Sequence, residues 1–367
     1  MSEKMKLSRL ELRLEAEISA APSVLEADCK RAELAAYWVR LGRVAEVELA
    51  LQDLHHRYRS DPNVAISAWL NLVEGLAGHF GDMDPGARDK VLRSHALSSA
   101  AGLLPMQALA AAWLAHFDYA RLDAEATAVH VRLSFSFSLF SDDSIRSRAN
   151  LVVAQILHLA GRYDVAKSWY LRARFHANRD GDDATIGAIL HNMAWLHMSN
   201  FRQIYFANEF IPIQNLDILM SAESAKNFDR HFNVNTLNAV EPILRAQIFS
   251  LQGQWLQALE LYEKYFTSTS IKGASRFLTI SLVDQVWCRL NVGEKLRIQE
   301  DTLTAIQHID ENVQIDEFAA IHSRVVQIFE GIGNSGGAGH YREVARNSWM
   351  VFSNLQERII DLFNGAQ

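Results

Sequence analysis

One pattern of apolar and small residues occurs twice in the chain, in GRYDVAKSWYLRARF (161–175) and in GQWLQALELYEKYF (253–266). In both copies a Gly is followed by an aromatic residue at +2, Ala at +5 and Tyr at +9, and Ala lies seven residues before the Gly. Apolar residues three or four positions apart predict helices with one buried face. Small residues on both sides of the Gly let two antiparallel helices approach closely. The pattern therefore predicts helix pairs, with Gly161 and Gly253 in left-handed turns between them.

Weaker copies extend this pattern over most of residues 28–310. They place the turn at Gly42, Phe117, Phe201 and Gly293. When the two strong copies are included, the small or apolar residue seven positions before each turn is Ala35, Ala110, Ala154, Ala194, Ala246 or Val286. The interval from Ala35 to Ala110 is about twice the others, which predicts a further pair in AISAWLNLVEGLAGHFGDMDPGARDKVL (65–92), with Gly75 at the small position.

The pattern resembles the tetratricopeptide repeat, whose small residue, turn Gly, aromatic residues and Ala can be read directly in GRYDVAKSWYLRAR. The period here is about 40 residues, against 34 for the family. The resemblance implies an all-α, right-handed superhelical solenoid of roughly seven to eight antiparallel helix pairs. It divides the chain into an N-terminal amphipathic helix or cap (1–27), a repeat array (28–310) and a C-terminal helical pair or cap (311–367).

Three local segments need their own interpretation. RLSFSFSLF (132–140) alternates like a strand, and we interpret it as the end of a helix and its connection. NRDGDDATIG (178–187) lacks the Glu that closes a calcium loop and predicts a turn with Asp182 or Asp183 as the N-cap. GIGNSGGAG (331–339) has neither a preceding strand nor the Gly-Lys-Ser/Thr of a phosphate-binding loop, and predicts a flexible linker.

Composition narrows the classes of partner. The formal net charge is −7, with 36 Lys or Arg against 43 Asp or Glu, which disfavours nucleic acid. The two cysteines, Cys29 and Cys288, form neither a disulfide framework nor a zinc site. The charged N-terminus does not resemble a signal peptide, and no apolar run approaches 18 residues. We therefore expect a cytoplasmic protein without a membrane partner.

Repeat arrays of this kind bind peptides or folded proteins on a concave surface lined by the first helix of each pair. The family's concave positions, carried onto this chain residue by residue, are Gln107, Arg148, Gln155, His158, His191, Asn192, Trp195, Gln247, Trp287 and Asn291. Their amide, imidazole and indole groups suit an extended peptide; the alternative is that they are ordinary packing or surface residues. The Lys and Asn pair with which some family members bind a C-terminal carboxylate is not evident.

Residues 121–179 have a local basic excess inside this acidic chain. They contain nine basic residues and five acidic ones: Arg121, Arg132, Arg146, Arg148, Arg162, Lys167, Arg172, Arg174 and Arg179 against Asp123, Glu125, Asp142, Asp143 and Asp164. This excess could attract an acidic partner segment or a nucleotide, or could simply be a solvated helix face.

The sequence contains no recognisable set of acid, base and nucleophile, so we predict no enzyme, no cofactor and no metal site. The leading hypothesis is a non-catalytic scaffold or adaptor that binds another protein or a peptide on its concave face. The alternative is a regulatory sensor that binds a small signalling ligand or peptide and controls an effector protein. The sequence also leaves open whether the protein forms a homodimer through its terminal helices.

Overall fold

A computed structural model describes residues 8–81, 84–207, 240–265, 278–309 and 313–364. Within these ranges the chain forms sixteen α-helices and no strand, which confirms the all-α prediction. The helices are α1 (Arg9–Ala20), α2 (Val24–Leu41), α3 (Val44–Arg57), α4 (Val64–Phe80), α5 (Ala87–Ala100), α6 (Leu104–Ala120), α7 (Ala124–Phe137), α8 (Asp143–Leu159), α9 (Tyr163–Asp180), α10 (Asp183–Ala207), α11 (Val240–Leu251), α12 (Trp255–Tyr265), α13 (Leu278–Asn291), α14 (Ile298–Ile306), α15 (Ile315–Gly331) and α16 (Ser335–Phe363).

Successive helices pack in neighbouring pairs: α2–α3, α4–α5, α6–α7, α8–α9, α11–α12, α13–α14 and α15–α16. Glycines in left-handed conformation connect five of these pairs: Gly42 (φ 74°), Gly161 (φ 75°), Gly253 (φ 73°) and Gly293 (φ 94°), as predicted, and also Gly333 (φ 76°). The Gly161 turn shows why the conformation is needed. Its backbone lets the N–H of Arg162 reach back to the Leu157 carbonyl at 2.9 Å, which satisfies an orphan carbonyl at the end of α8.

The pair predicted in residues 65–92 is confirmed as α4 and α5. A Cβ added at Gly75 would lie 2.7 Å from Val91 Cγ2 and 2.8 Å from the Ala87 carbonyl oxygen. The two helices therefore approach so closely at this point that only glycine fits.

Two predicted turn positions are wrong, because Phe117 lies inside α6 and Phe201 inside α10. The turn after α6 instead uses Leu122, which has a φ of 58°. The error has a physical reason: α6 carries buried alanines at several successive positions, so a small residue does not fix the register there. Phe201 is a buried core residue of a helix that continues to Ala207.

The glycine-rich segment 331–339 is not a flexible linker. Only residues 332–334 separate α15 from α16, and the following glycines belong to the first turns of α16. Asn334 caps this helix, with its side-chain oxygen 2.9 Å from the N–H of Gly337. A Cβ at Gly337 would collide with the buried ring of Phe329, so this glycine serves close packing.

The two other local interpretations are confirmed. The alternating run ends as a helix at Phe137, and residues 138–142 connect α7 to α8. Asp182 is the N-cap of α10, since its Oδ1 accepts the Thr185 N–H at 2.9 Å. Gly181 makes the preceding turn with a φ of 77°.

Both ends of the described chain pack against its middle. In the C-terminal pair, Gln356 Nε2 donates to the Leu159 carbonyl at 2.9 Å. Gln314 Nε2 donates to the Ala120 carbonyl at 3.0 Å. At the N-terminal end, Arg13 pairs with Asp180 at 2.7 Å. Contacts between distant segments thus supplement those between neighbouring pairs. None of the described helices has the length and apolar character needed to cross a membrane.

Candidate functional site

An open pocket of about 530 Å³ lies where α7, α9 and the beginning of α8 meet. Its lining is aromatic and basic: Phe135, Phe140, Arg146, Asn150, Trp169, Leu171, Arg172, Phe175 and His176. None of the ten concave-face candidates lines it, but Arg146 and Arg172 belong to the basic segment that the sequence singled out. We call this feature the aromatic pocket.

The connection between α7 and α8 builds one wall of the aromatic pocket. Arg146 on α8 donates from Nη2 to the Ser138 carbonyl at 2.7 Å and from Nε to the Leu139 carbonyl at 3.2 Å. The Asp142 carboxylate accepts the Leu139 N–H at 2.7 Å. These bonds tie the connection to α8 and hold Phe140 beside α9, with its ring 6.3 Å from that of Phe175.

Guanidinium groups lie over the aromatic rings of this pocket. The Arg146 Cζ lies 5.0 Å from the centroid of Phe135, and the Arg172 Cζ lies 4.5 Å from that of Trp169. Such cation–π contacts fix the position of an arginine without neutralising its charge. Among the described residues, no carboxylate pairs with either arginine, although Arg146 already donates to the Ser138 and Leu139 carbonyls.

Large apolar side chains beside the pocket face solvent. The exposed fractions are 70% for Leu139, 65% for Phe140, 58% for Leu171 and 49% for Phe175. Isolated exposed apolar residues are common, but a contiguous group beside a pocket marks an interaction site. The aromatic pocket therefore combines an apolar surface with positive charge.

The concave-face candidates are largely interior groups. Six are buried, namely Gln107, Arg148, Gln155, His158, His191 and Gln247. Four are half-buried, namely Asn192, Trp195, Trp287 and Asn291. The Asn291 amide donates to the Trp287 carbonyl of its own helix at 2.8 Å. Whether these residues bind a partner stays a prediction. The structure shows instead which of their side chains lie close to one another.

Arg148 belongs to a group of largely interior side chains from different helices, which we call the N-terminal arginine centre: Arg40, Trp113, Arg148, Asp182 and Thr185. Arg40 Nη1 lies 2.6 Å from Asp182 Oδ2 and 3.0 Å from Thr185 Oγ1. Although burial opposes ionisation of Asp182, the adjacent Arg40 guanidinium holds the pKa of this carboxyl below its ordinary value.

The Arg148 guanidinium lies on the face of Trp113, with Cζ 3.9 Å from the ring centroid, and the residue is only 4% exposed. No described residue accepts a hydrogen bond from it, and its Nε is fully buried. Burial, and then repulsion by Arg40, lowers the pKa of Arg148 to about 9. The Nε of Arg148 has therefore lost contact with water without gaining a hydrogen-bond acceptor among the described residues.

A second group has a similar composition and forms the C-terminal arginine centre: Trp195, Arg202, Gln247, Asp284, Trp287 and Arg324. Arg324 Nε pairs with Asp284 Oδ1 at 2.9 Å, and its Cζ lies 5.2 Å from the centroid of Trp287. Arg202 donates to the Gln247 side-chain oxygen and lies over Trp195. Each centre thus contains one arginine paired with an aspartate and a second arginine on an indole ring.

His158, near the end of α8, is fully buried. Its Nδ1 lies 3.2 Å from the Tyr170 hydroxyl, and its ring centroid lies 4.6 Å from that of His197. Burial, with a further contribution from His197, lowers the pKa of His158 to about 3. The imidazole is therefore neutral near physiological pH.

Sequence reasoning selected Arg148, Trp195, Gln247 and Trp287, but it missed the residues that complete the arginine centres, such as Arg40 and Asp182. These two are separated by 142 positions, and no local pattern connects them. Within the part of the chain that the structure describes, no three His, Cys, Asp or Glu side chains are placed to share a metal ion. No protein-family model and no curated protein matches the chain at a significant level.

Proposed function

We propose that the protein is a non-catalytic scaffold or adaptor, resembling tetratricopeptide repeat proteins, that binds a segment of another protein in the aromatic pocket. The observation that carries the proposal is the group of exposed apolar side chains beside two arginines without carboxylate partners. In this proposal the seven described pairs are part of a right-handed superhelix of seven to eight pairs. The protein acts in the cytoplasm, where the free Cys29 and Cys288 stay reduced.

The occupant is an acidic segment with at least one aromatic or large aliphatic side chain. The apolar side chain would pack against Phe140 and Phe175, and neighbouring carboxylates would pair with Arg146 and Arg172. A buried aromatic side chain removes roughly 150–250 Å² from water, which supplies roughly 4–6 kcal/mol before the cost of association. The arginines would add selectivity against basic segments more than affinity.

Selection from a random displayed peptide library tests the proposal directly. We expect the enriched peptides to combine Asp or Glu with Phe, Trp, Tyr or Leu, and to bind the intact protein in fluorescence anisotropy. Phe175→Ser and Arg172→Gln should each weaken binding, by about tenfold for the phenylalanine. Leu49→Ser is the matched control, because Leu49 is 67% exposed on α3 and lies outside the pocket.

Two outcomes would contradict the proposal. Enrichment of basic or purely polar peptides would show that the pocket's charge and aromatic surface do not select the ligand. Equal affinity of wild type and the Phe175→Ser variant for the selected peptide would place its site elsewhere on the protein.

The alternative function, a regulatory sensor for a small ligand, is favoured by a different observation, the buried Arg148 guanidinium without a counter-ion. A sensor would bind its ligand in the interior, and the ligand would change which effector protein is captured. The two functions separate experimentally, because changes in the aromatic pocket should leave the binding of an interior ligand intact.

A further inference from the structure

The N-terminal arginine centre contains two arginines, Arg40 and Arg148, and one aspartate, Asp182. Arg40 and Arg148 lie with their Cζ atoms 5.9 and 3.9 Å from the centroid of the same Trp113 ring. Asp182 is the carboxylate that acts on both arginines. It already accepts bonds from Arg40 and from the hydroxyl and N–H of Thr185.

The remaining charged groups near this centre have their own partners. On the neighbouring end of α9, Asp180 pairs with Arg13 of α1 at 2.7 Å. Tyr37 on α2 presents its ring to Arg40, whose Cζ lies 5.1 Å from the ring centroid. Within the described ranges, therefore, no group supplies Arg148 with a hydrogen-bond acceptor. A buried cation in this situation destabilises the folded state unless a ligand supplies the missing charge.

We propose that Arg148, supported by Arg40 and Trp113, forms an interior binding site for a singly charged oxyanion of the carboxylate type. A guanidinium presents its N–H donors as a planar fork that matches a carboxylate, which can accept two parallel hydrogen bonds. The Trp113 ring covers one face of the guanidinium, so the ligand binds in the guanidinium plane at its nitrogen atoms.

The charge of the site selects the ligand. A single buried guanidinium whose Nε has no hydrogen-bond acceptor can neutralise a monoanion, whereas a phosphate dianion would bring a second charge without a partner into the interior. The carboxylate could belong to a free small acid or to a side chain or terminus of a bound peptide. The inference holds whether or not the aromatic pocket binds a partner.

The test uses the full chain and compares acetate with chloride at matched ionic strength and near-neutral pH, with Tm and isothermal calorimetry as readouts. We expect a saturable rise in Tm with acetate, about 2 °C at about tenfold excess over Kd. Arg148→Gln should abolish this rise. Arg93→Gln removes an exposed arginine on α5 and should keep it. Without acetate, Arg148→Met should have a Tm no lower than wild type, because it removes an unpaired buried charge.

A second experiment, with an acidic peptide, decides where the carboxylate comes from. If acetate has no effect but an acidic peptide raises Tm in wild type and not in Arg148→Gln, the site takes a peptide carboxylate. An equal acetate effect in wild type and Arg148→Gln overturns the inference. If the Arg148 variants do not fold, the absence of saturable binding heat from wild type with both acetate and the peptide overturns it. Phe175→Ser should leave the acetate effect unchanged, which separates this site from the aromatic pocket.

Discussion

Replacing His158 by Phe should change how the stability of the protein depends on pH. The pKa of His158 in the folded protein is about 3, against an ordinary value of 6.5. Below about pH 6.5 the unfolded chain binds a proton at this residue that the folded chain excludes, so folding stability falls as pH falls. At about pH 5 the loss is about 2 kcal/mol relative to about pH 7.5.

The stability of wild type would not fall by this full amount on acidification, because Asp180 changes the folding stability in the opposite direction. Burial, reinforced by the neighbouring Asp182, raises the pKa of Asp180 from 3.8 to about 6. The folded chain therefore binds a proton at Asp180 more tightly than the unfolded chain, and stability rises as pH falls from about 6 towards 3.8. At about pH 5 this gain is about 1.4 kcal/mol, so the two contributions leave a net loss of about 0.6 kcal/mol.

The assay is urea unfolding followed by circular dichroism, for wild type and His158→Phe at about pH 7.5 and about pH 5. The variant loses the contact with the Tyr170 hydroxyl and should be less stable at neutral pH. On acidification, however, it should gain stability relative to wild type by about 2 kcal/mol. His56→Gln is the control, because it removes an exposed histidine from α3, far in sequence from the buried His158.

The reasoning would be refuted if wild type and His158→Phe lost the same stability between the two pH values. That result would mean that the folded protein protonates His158 as readily as the unfolded chain, in spite of the residue's complete burial.

Two further predictions concern the C-terminal helices. Gly337→Ala should destabilise the protein by about 1–3 kcal/mol, because the new Cβ collides with Phe329. Gly339→Ala on the same helix meets open space and should stabilise the protein by about 0.5–1 kcal/mol. Equal urea midpoints for the two variants would contradict this prediction. Asp284→Asn leaves the Arg324 guanidinium without its counter-ion and should cost about 3–5 kcal/mol, while the double change Asp284→Leu, Arg324→Met should restore most of that stability. Thermal and urea unfolding measure both effects, and a double variant no more stable than the single one would contradict the second.

The part of the fold that sequence predicts is the part fixed by local backbone requirements. Gly161 and Gly253 mark turns because a left-handed residue there satisfies helix-end carbonyls, and few other residues adopt it without strain. The turn predicted at Phe117 is wrong because, in the alanine-rich helix α6, several alternative registers place a small residue at the contact with the neighbouring helix. The packing of Gln356 against α8 was equally out of reach, because it joins residues 197 positions apart.

The features of the candidate sites also divide into those that the sequence predicts and those that it does not. The family pattern identifies the helix face on which Arg148 lies, since that follows from helical periodicity. It does not show that this face is buried, because burial depends on Asp182 and Trp113 arriving from other helix pairs. The aromatic pocket was missed for a different reason: Phe140 and Phe175 look like core residues in sequence, but both are exposed in the structure.

The two arginine centres are poorly explained by stability alone. A buried ion pair is often no better than apolar side chains of the same volume, and an arginine without a carboxylate is worse than either. Among the described residues each centre has such an arginine, Arg148 on Trp113 and Arg202 on Trp195, although Arg202 donates a hydrogen bond to Gln247. Both centres include residues of α10, with Thr185 in its first turn and Arg202 near its end. Arg148, whose buried Nε gains no hydrogen-bond acceptor from the described residues, is therefore better explained as the anion site proposed above than as part of a structural ion pair.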